Sequence, residues 1–287
     1  MSVRNGASTV GAAIRSVLMQ TLHDWELIVI DNGSSDRSGA IVAGFGDPRI
    51  RLVREASTSF FAVRLNQAVA LSRGEFIARM DADDICFPDR LSRQVARLRA
   101  DARLDLLGCG VVVFKSGGNL VGEMPVGLAH QHIVARPFVG FPFPHPTWCG
   151  RASWFRENPY DSTLQYAEDQ DLLLRSFRHS KLGGLDTVLL GYRQDRLALK
   201  KLIPGRITFA KSVWRNGVAA GEVLPALAGM ATHAVKGMTD VATLSLGLNR
   251  QMQLQRLKPV SAAIEREWRQ LQESLAESSG AADGNAS

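Results

Sequence analysis

The sequence predicts an α/β protein with a mixed, mostly parallel sheet flanked by helices, followed by a helical C-terminal region. Short apolar runs alternate with amphipathic segments through the first half of the chain. Two of these runs end in clusters of acidic residues, and from about residue 206 onward the pattern is helical only. Such alternation is typical of a sheet with helices on both faces, where ligands bind beyond the carboxyl ends of the strands.

The elements follow from apolar spacing and turn residues. Helical spacing predicts helices over residues 12–20, 38–45, 63–71 and 90–99, the last with Leu91, Val95 and Leu98 on its apolar face. Compact apolar runs predict strands at 27–30, 50–53, 76–80 and 106–114. A further helix is expected over 166–177, because acidic residues gather at its start, where the helix dipole favours them.

Three segments are predicted: a first domain at 1–205, large enough for a catalytic domain, a helical region at 206–276, and a disordered tail of small and polar residues at 277–287. Residues 223–248 form an amphipathic stretch that His233, Lys236 and Asp240 interrupt too often for a membrane span. Two interpretations stay open for this stretch: it lies on an anionic membrane, or it packs against the first domain.

Composition limits the location and the partners. The 287 residues include three cysteines without disulfide or zinc spacing, and the chain starts with a polar turn, so we expect a cytoplasmic protein. The net charge of +6 favours anionic partners such as nucleotide phosphates or the inner face of the plasma membrane. The arginines are scattered, without a basic stripe interleaved with aromatic residues, so nucleic acid is not a predicted partner.

The strongest chemical signal is Asp81-Ala82-Asp83, which directly follows an apolar strand. Two carboxylates one residue apart can hold a divalent cation that also bridges two phosphates, and hard oxygen ligands suit Mg²⁺ or Mn²⁺. The alternative is an acidic turn in solvent. The preceding strand favours the metal site.

A second signal is Asp31 in the run Asp31-Asn32-Gly33-Ser34-Ser35-Asp36, again at the end of an apolar strand. A carboxylate there can accept a hydrogen bond from a base or a ribose hydroxyl, or it can help to start the next helix. We assign ligand binding to Asp31 and helix capping to Asp36.

The third signal is Glu168-Asp169, where a carboxylate could deprotonate an acceptor hydroxyl. Acidic residues at a helix start are the alternative. Similarly, His145 could bond a phosphate or a hydroxyl, or pack as a structural residue. Arg193 could belong to a basic lid over a diphosphate, or be solvated.

The ordered set of motifs resembles glycosyltransferase family 2. The matching segments are Asn5-Gly6, residues 16–21, residues 31–36, residues 74–84, His145-Pro146-Thr147 and residues 168–172, within roughly residues 3–193. The resemblance implies a GT-A fold and a metal-dependent, inverting transfer from a nucleotide diphosphate sugar to a glycan or lipid-linked acceptor. It further implies surface polysaccharide, lipopolysaccharide or glycolipid assembly as the setting.

The resemblance also implies residue roles. Asp31 would contact the base, Asp81 the ribose or the metal, Asp83 the metal, and Asp169 would be the catalytic base. Asn5 would lie on the donor side, and His145, Glu168 and Arg193 would lie on the acceptor side or near the diphosphate.

Two departures from the family pattern bear on function. Only residues 1–4 precede Asn5-Gly6, where the family has a longer apolar strand, so either the true start lies upstream or the sheet has lost a member. The family's arginine before Asn66 is replaced by Leu65. A catalytically impaired nucleotide-sugar binding protein is therefore the alternative function. A nucleotidyltransferase is less favoured, because no glycine-rich basic loop is visible near the N-terminus.

Overall fold

Strands and helices alternate through the first half of the protein. The computed structural model describes residues 1–195, 199–248 and 257–283. The strands in these ranges are β1 (Ser2–Val3), β2 (Leu27–Asp31), β3 (Ile50–Arg54), β4 (Phe76–Ala78), β5 (Ile85–Cys86), β6 (Leu106–Phe114), β7 (Leu120–Met124), β8 (Cys149–Arg151) and β9 (Leu182–Arg193). The helices there are α1 (Val10–Leu18), α2 (Ser38–Ala43), α3 (Phe61–Leu71), α4 (Arg90–Ala100), α5 (His130–Ile133), α6 (Ala152–Glu157), α7 (Glu168–Ser176), α8 (Leu199–Ala219), α9 (Val223–Ser245) and α10 (Ala262–Asp283).

The described strands form two sheets. In the first, β1, β2 and β3 lie side by side and are all parallel. The second has the order β4-β8-β6-β9-β5 with β7 also on β6, and among its described pairs only β6 with β9 is parallel. The predicted α/β class and mixed sheet are confirmed. Parallel pairing dominates only in the first sheet. In the second sheet, short connections such as residues 115–119 between β6 and β7 reverse the chain direction and make the paired strands antiparallel.

A groove of about 840 Å³ lies between the edges of β2 and β4. Leu27 and Ile28 line one side of the groove, and β4 lines the other. At its end, the amino group of Met1 donates to the carbonyl oxygen of Ile28 at 2.9 Å. Burial, and then the positive charge of Arg79, lower the pKa of this amino group to about 5. The amine is therefore neutral at neutral pH.

The C-terminal helices share the core of the α/β domain. Trp268 of α10 packs against Phe87 and Phe114, with ring centroids 6.0 and 4.7 Å apart. Phe209 of α8 and Ala226 of α9 are buried in the same apolar cluster as residues of α7. The predicted boundary at residue 205 is therefore wrong in one respect, because α8 crosses it. No helix in the described ranges is long and apolar enough to cross a membrane.

The predicted disordered tail needs a correction. Helix α10 continues to Asp283, so residues 277–283 are helical rather than disordered. The helix is held by the packing of its earlier turns, an interaction that the local composition does not reveal. The last predicted tail residues, 284–287, lie outside the described residues.

Helix α4 buries polar side chains where the sequence predicts an apolar face. Arg90 and Gln94 are fully buried, together with Leu98. Arg90 donates to the carbonyl oxygens of Arg79 at 2.6 Å and Pro146 at 2.7 Å, and Gln94 donates to that of Thr147 at 2.7 Å. These bonds hold together the end of β4 and the turn around His145, which an apolar face could not do.

We expect Arg90→Met to lower the free energy of unfolding by about 3–5 kcal/mol, because two buried carbonyl oxygens lose their donor. Urea denaturation measures the change. Arg93→Met, on the exposed side of the same helix, should change it by less than about 0.5 kcal/mol. Equal losses in the two variants would contradict this role of Arg90.

Candidate active site

An open cleft of about 1560 Å³ lies beyond the ends of β1, β4 and β9. Of the predicted site residues, Asn5, Asp81, Asp83 and Arg193 line this cleft. Asp31, His145, Glu168 and Asp169 lie outside its lining. The volume is ample for a nucleotide sugar, since small-molecule sites usually occupy about 300–1,000 Å³.

Asp81 is held by an arginine from its own segment. The guanidinium of Arg79 donates to both carboxylate oxygens of Asp81, at 2.8 and 2.6 Å. Arg79 is itself buried, and its guanidinium lies 5.4 Å from the ring centre of Phe61. Asp81 is therefore oriented before any ligand arrives, and its charge is partly neutralised.

Asp83 is the carboxylate best placed for a metal ion. It takes no part in the Arg79 ion pair, and burial followed by the negative charge of Asp81 raises the pKa of Asp83. A divalent cation would reverse this effect, because it favours the charged carboxylate. Mg²⁺ commonly binds through one or two carboxylates together with substrate phosphates and water.

The residues present thus fit a metal bridged to a diphosphate. In the described ranges, no three His, Cys, Asp or Glu side chains converge to hold a metal by protein ligands alone. Asp83 would supply the protein ligand, and Asp81 would add a second only while sharing its oxygens with Arg79. The two carboxylates are therefore unequal in the structure, as the predicted roles, Asp83 on the metal and Asp81 on the ribose or the metal, also have them.

Asp84 and Arg193 fix the loop that carries Asp83. The carboxylate of Asp84 accepts the backbone N–H of Arg193 at 2.9 Å, and the Arg193 side chain donates to the carbonyl oxygen of Asp83 at 3.0 Å. Burial, and next the charges of Asp81 and Asp83, raise the pKa of Asp84 well above its usual value. Arg193 lies at the end of β9 rather than in a separate lid.

Asn5 organises the loop after β2. Its backbone has a φ of 52°, its side-chain oxygen accepts the N–H of Ser35 at 2.9 Å, and its own N–H donates to the Ser34 hydroxyl at 3.0 Å. Asp36 accepts the N–H of Ser38, the first residue of α2, at 2.9 Å, but the cap position of α2 is Arg37, without a side-chain capping bond, so the prediction of Asp36 as the cap is wrong. Asp31 is buried and accepts the N–H of Ser34 at 3.0 Å, so its contact with a base stays a prediction.

His145, Tyr160 and the acidic pair of α7 form a layer next to the cleft. Nε2 of His145 lies 2.8 Å from the Tyr160 hydroxyl, and Nδ1 lies 3.9 Å from a carboxylate oxygen of Glu168. Burial, and then Arg79, lower the pKa of His145 well below its usual value, so the imidazole is neutral. His145 meets the cleft through Phe61, whose ring packs edge-on at 6.5 Å.

The acidic pair has raised proton affinities. Burial, and next the charge of Asp169, raise the pKa of Glu168 to about 7, and burial also raises the pKa of Asp169. Directly before the pair, Ala167 has a φ of 55°. In the described residues only Asn5 and Ala167 are non-glycine residues with positive φ, and both adjoin predicted site motifs. Such strain tends to collect at functional sites.

Sequence reasoning missed Arg79, Arg90 and the contact between Tyr160 and His145. Arg79 lies two residues before Asp81, a spacing that places side chains on the same side of an extended segment, and this signal could have found it. Arg90 and Tyr160 carry no comparable local signal, because their partners are 56 and 15 residues away in the chain. The aromatic residues Trp148, Trp154 and Phe155 are buried core residues.

The architecture is that of the GT-A glycosyltransferases. The mannosyltransferase PcManGT of Pyrobaculum calidifontis, solved in complex with GDP-Man and Mn²⁺, superposes with a TM-score of 0.58 at 16% identity. The match covers 89% of this chain and 81% of that one. At this identity the likeness concerns the fold alone.

The sequence comparisons are more specific. Residues 1–157 match the profile of glycosyl transferase family 2. EpsE of Bacillus subtilis, which carries a glycosyltransferase name, is 33% identical over 208 residues, or 70% of this chain and 74% of EpsE. The Escherichia coli UDP-Glc:α-D-GlcNAc-diphosphoundecaprenol β-1,3-glucosyltransferase WfgD is 38% identical over 94 residues, or 33% of this chain and 37% of WfgD. The protein therefore belongs to glycosyl transferase family 2.

Proposed function

We propose that this glycosyltransferase moves a sugar from a nucleotide diphosphate sugar to a hydroxyl of a glycan or lipid-linked acceptor, with inversion at the sugar carbon. The observation that carries the proposal is the opening of Asp81 and Asp83 onto a nucleotide-sized cleft. Glu168 and Asp169, a second pair of carboxylates with raised pKa values, lie one layer behind the cleft. Phe61 and Arg79 lie between this pair and the cleft.

The donor would bind with its diphosphate near Asp83 and Arg193. A bound Mg²⁺ or Mn²⁺ would neutralise charge on the departing diphosphate, and a neighbour of the same fold binds GDP-Man with Mn²⁺. Arg193 lines the cleft and holds the Asp83 loop, so the loop is preorganised for the ligand. Asp31 and Asn5 would hold the nucleoside end of the donor.

Transfer is a single displacement in this proposal. The acceptor oxygen forms a bond to the anomeric carbon while the bond from that carbon to the diphosphate oxygen breaks. The acceptor oxygen attacks from the face opposite the leaving group, which inverts the carbon, and Asp169 takes the acceptor proton. His145, held by Tyr160, would orient the acceptor or support Glu168.

The raised pKa of Asp169, the proposed base, predicts how the rate depends on pH. A carboxylate accepts a proton only when it is ionised, so kcat/KM should rise with pH through an acid limb that lies above the usual range of an aspartate. Removing the charge of Glu168 should ease ionisation of its neighbour, because the two charges repel. We therefore expect Glu168→Gln to move the acid limb of the kcat/KM profile to lower pH. An unmoved limb would contradict electrostatic coupling within the pair.

The setting proposed is the assembly of surface polysaccharide or glycolipid at the inner face of the plasma membrane. The name of WfgD describes a diphosphoundecaprenol-linked acceptor, which is a membrane lipid. An enzyme that uses such an acceptor must work at a membrane surface. The free, buried cysteines Cys86, Cys109 and Cys149 are compatible with a reducing cytoplasm.

Calorimetric titration with UDP, GDP and dTDP sugars, with and without Mn²⁺, tests the proposal. Metal-dependent binding of one donor is the expected result. The matching donor is then incubated with candidate acceptors, and NMR of the product reads the anomeric configuration. Binding without turnover across acceptors would instead support the alternative, a nucleotide-sugar binding protein. A product that retains the donor's configuration would contradict inversion.

A further inference from the structure

The outer face of helix α9 is mostly apolar from one end of the helix to the other. Leu224 is 78% exposed, Met238 65% and Leu246 73%, and Val235 lies between them on the same side. At 100° per residue, the exposed residues other than Pro225 in the first turn fall within one arc of the helix, and they are Val223, Leu224, Leu227, Ala228, Ala231, Ala234, Val235, Met238, Thr239, Val241, Ala242, Ser245 and Leu246. None of these side chains is charged.

This orientation reverses the usual pattern of a surface helix, which turns its charged residues to solvent. His233 and Asp240 of α9 face the protein instead. His233 is buried beside the carbonyl oxygen of Phe138 at 3.2 Å, and Asp240 is buried in an ion pair with Arg206 of α8. Gly229 lies so close to Phe138 that a β-carbon would come within 2.7 Å of it. These contacts hold the apolar arc outward.

We infer that the outer face of α9 docks the enzyme on an anionic lipid surface. The inference deepens the proposed function, on which it rests for the membrane-borne acceptor. The outer face of α9 would make the membrane contact that an enzyme with a lipid-linked acceptor requires. The other occupant to consider is a second copy of this chain.

The size of the face favours a membrane. From Leu224 to Leu246 the arc is about 33 Å long and about 10 Å wide, or roughly 330 Å². A stable protein interface needs about 800 Å² from each partner. A helix lying in the plane of a membrane needs only an apolar face of this kind, which enters the boundary between headgroups and acyl chains.

Charge favours anionic lipids. Residues 199–248, which form α8, α9 and the turns next to them, contain six Lys or Arg residues and two acidic residues. This segment therefore carries a net charge of +4 out of the +6 of the chain. Lys236 lies beside the apolar arc of α9, and the exposed Lys211 lies on α8. Cations next to an apolar helix face bind surfaces rich in anionic headgroups.

The docking face lies on the acceptor side of the fold. Helix α7, which carries Asp169, is tied to α8 by an ion pair between Arg215 and Asp171 at 2.7 Å. Helix α8 in turn packs directly on α9, where Gly217 meets Ala226. An acceptor embedded in the membrane would therefore approach from the side that holds the proposed base.

Co-sedimentation with vesicles of phosphatidylcholine containing about 30 mol% phosphatidylglycerol tests the inference. The native chain should bind these vesicles, bind pure phosphatidylcholine vesicles more weakly, and lose binding in about 0.5 M NaCl. Leu224→Asp/Met238→Asp should lower the partition coefficient at least about tenfold. Both replaced side chains are exposed, and circular dichroism checks that the variant is folded.

The matched control is Ala70→Asp/Ala96→Asp, which adds the same charge at exposed positions of α3 and α4. This control should bind vesicles like the native chain. Equal binding by the α9 variant and the native chain, or no binding by the native chain, would overturn the inference. A native dimer in light scattering that the α9 variant converts to a monomer would also overturn it, in favour of a second copy.

Donor titration of the same samples separates this inference from the proposed function. Vesicle binding without donor binding would contradict the proposed function and support the docking face of α9. Donor binding without vesicle binding would support the proposed function and contradict the docking face.

Discussion

Replacing Asp83 with asparagine should abolish Mn²⁺-dependent binding of the sugar donor and lower kcat/KM by a factor on the order of 10³. The neutral amide cannot favour a divalent cation, and Asp83 is the carboxylate outside the Arg79 ion pair. The loop should keep its shape, because Arg193 holds the backbone carbonyl of Asp83 rather than its side chain. Calorimetry with and without Mn²⁺ measures the loss.

The neighbouring Asp84→Asn is the matched control. Its side chain is buried, it accepts the backbone N–H of Arg193, and its raised pKa favours the neutral form already. An asparagine oxygen can accept the same hydrogen bond, so donor affinity should change by less than about threefold. Metal-dependent binding that survives in Asp83→Asn would remove Asp83 as the ligand and shift the assignment to Asp81.

The second large effect is expected for Asp169→Asn, which should retain donor affinity and lower kcat by a factor of about 10² to 10⁴. The amide cannot take the acceptor proton, but Asp169 does not line the donor cleft. Single-turnover transfer and calorimetry, run on the same sample, separate chemistry from binding.

Glu168→Gln is the control for the base. Above pH 8 it should keep most of the native rate, since Glu168 is assigned an electrostatic influence and no proton transfer. If Glu168→Gln were inactive at all pH values while Asp169→Asn turned over, the two roles would be exchanged. If both variants lost donor affinity, the separation of donor and acceptor residues would fail.

Local patterns predicted most of the first half of the fold. The strand at residues 106–114 has the predicted bounds, and helix α7 begins at the acidic residues that marked its start. Such elements depend on side-chain periodicity and helix-end electrostatics, which are local properties. The same holds for the two acidic motifs. Each begins at or just after the end of a strand, so their places at the ends of β2 and β4 were readable from the chain.

Other predictions failed at positions whose structure depends on contacts with residues distant in the chain. The polar inner side of α4 depends on carbonyl oxygens of Arg79, Pro146 and Thr147. The last turns of α10 were predicted to be disordered, yet the packing of Trp268 on Phe114 holds that helix. The boundary at residue 205 was also misplaced, because α8 runs through it to pack on α7 and α9. None of these partners is near in sequence.

At the candidate site, too, local patterns identified the residues and distant contacts decided their environment. The sequence named Asp83 as a metal ligand and Asp81 as a ribose or metal ligand, and in the structure Arg79 takes both oxygens of Asp81. It also left open whether residues 223–248 pack on the protein or meet a membrane. In the structure the helix packs through the small residues Ala226 and Gly229 and through His233 and Asp240, and it exposes large apolar residues such as Leu224 and Met238, so burial does not follow from hydrophobicity alone.

By itself the sequence determined the family, the order of strands and helices, and which carboxylates follow a strand, since these depend on residue type and short spacing. Only the tertiary structure decided which carboxylate is free of an ion pair, which histidine is kept neutral, and which face of α9 meets solvent. The physical reason is that proton affinity, pairing and exposure depend on groups brought together by folding. A residue such as Arg90 finds its partners 11 and 56 positions away in the chain.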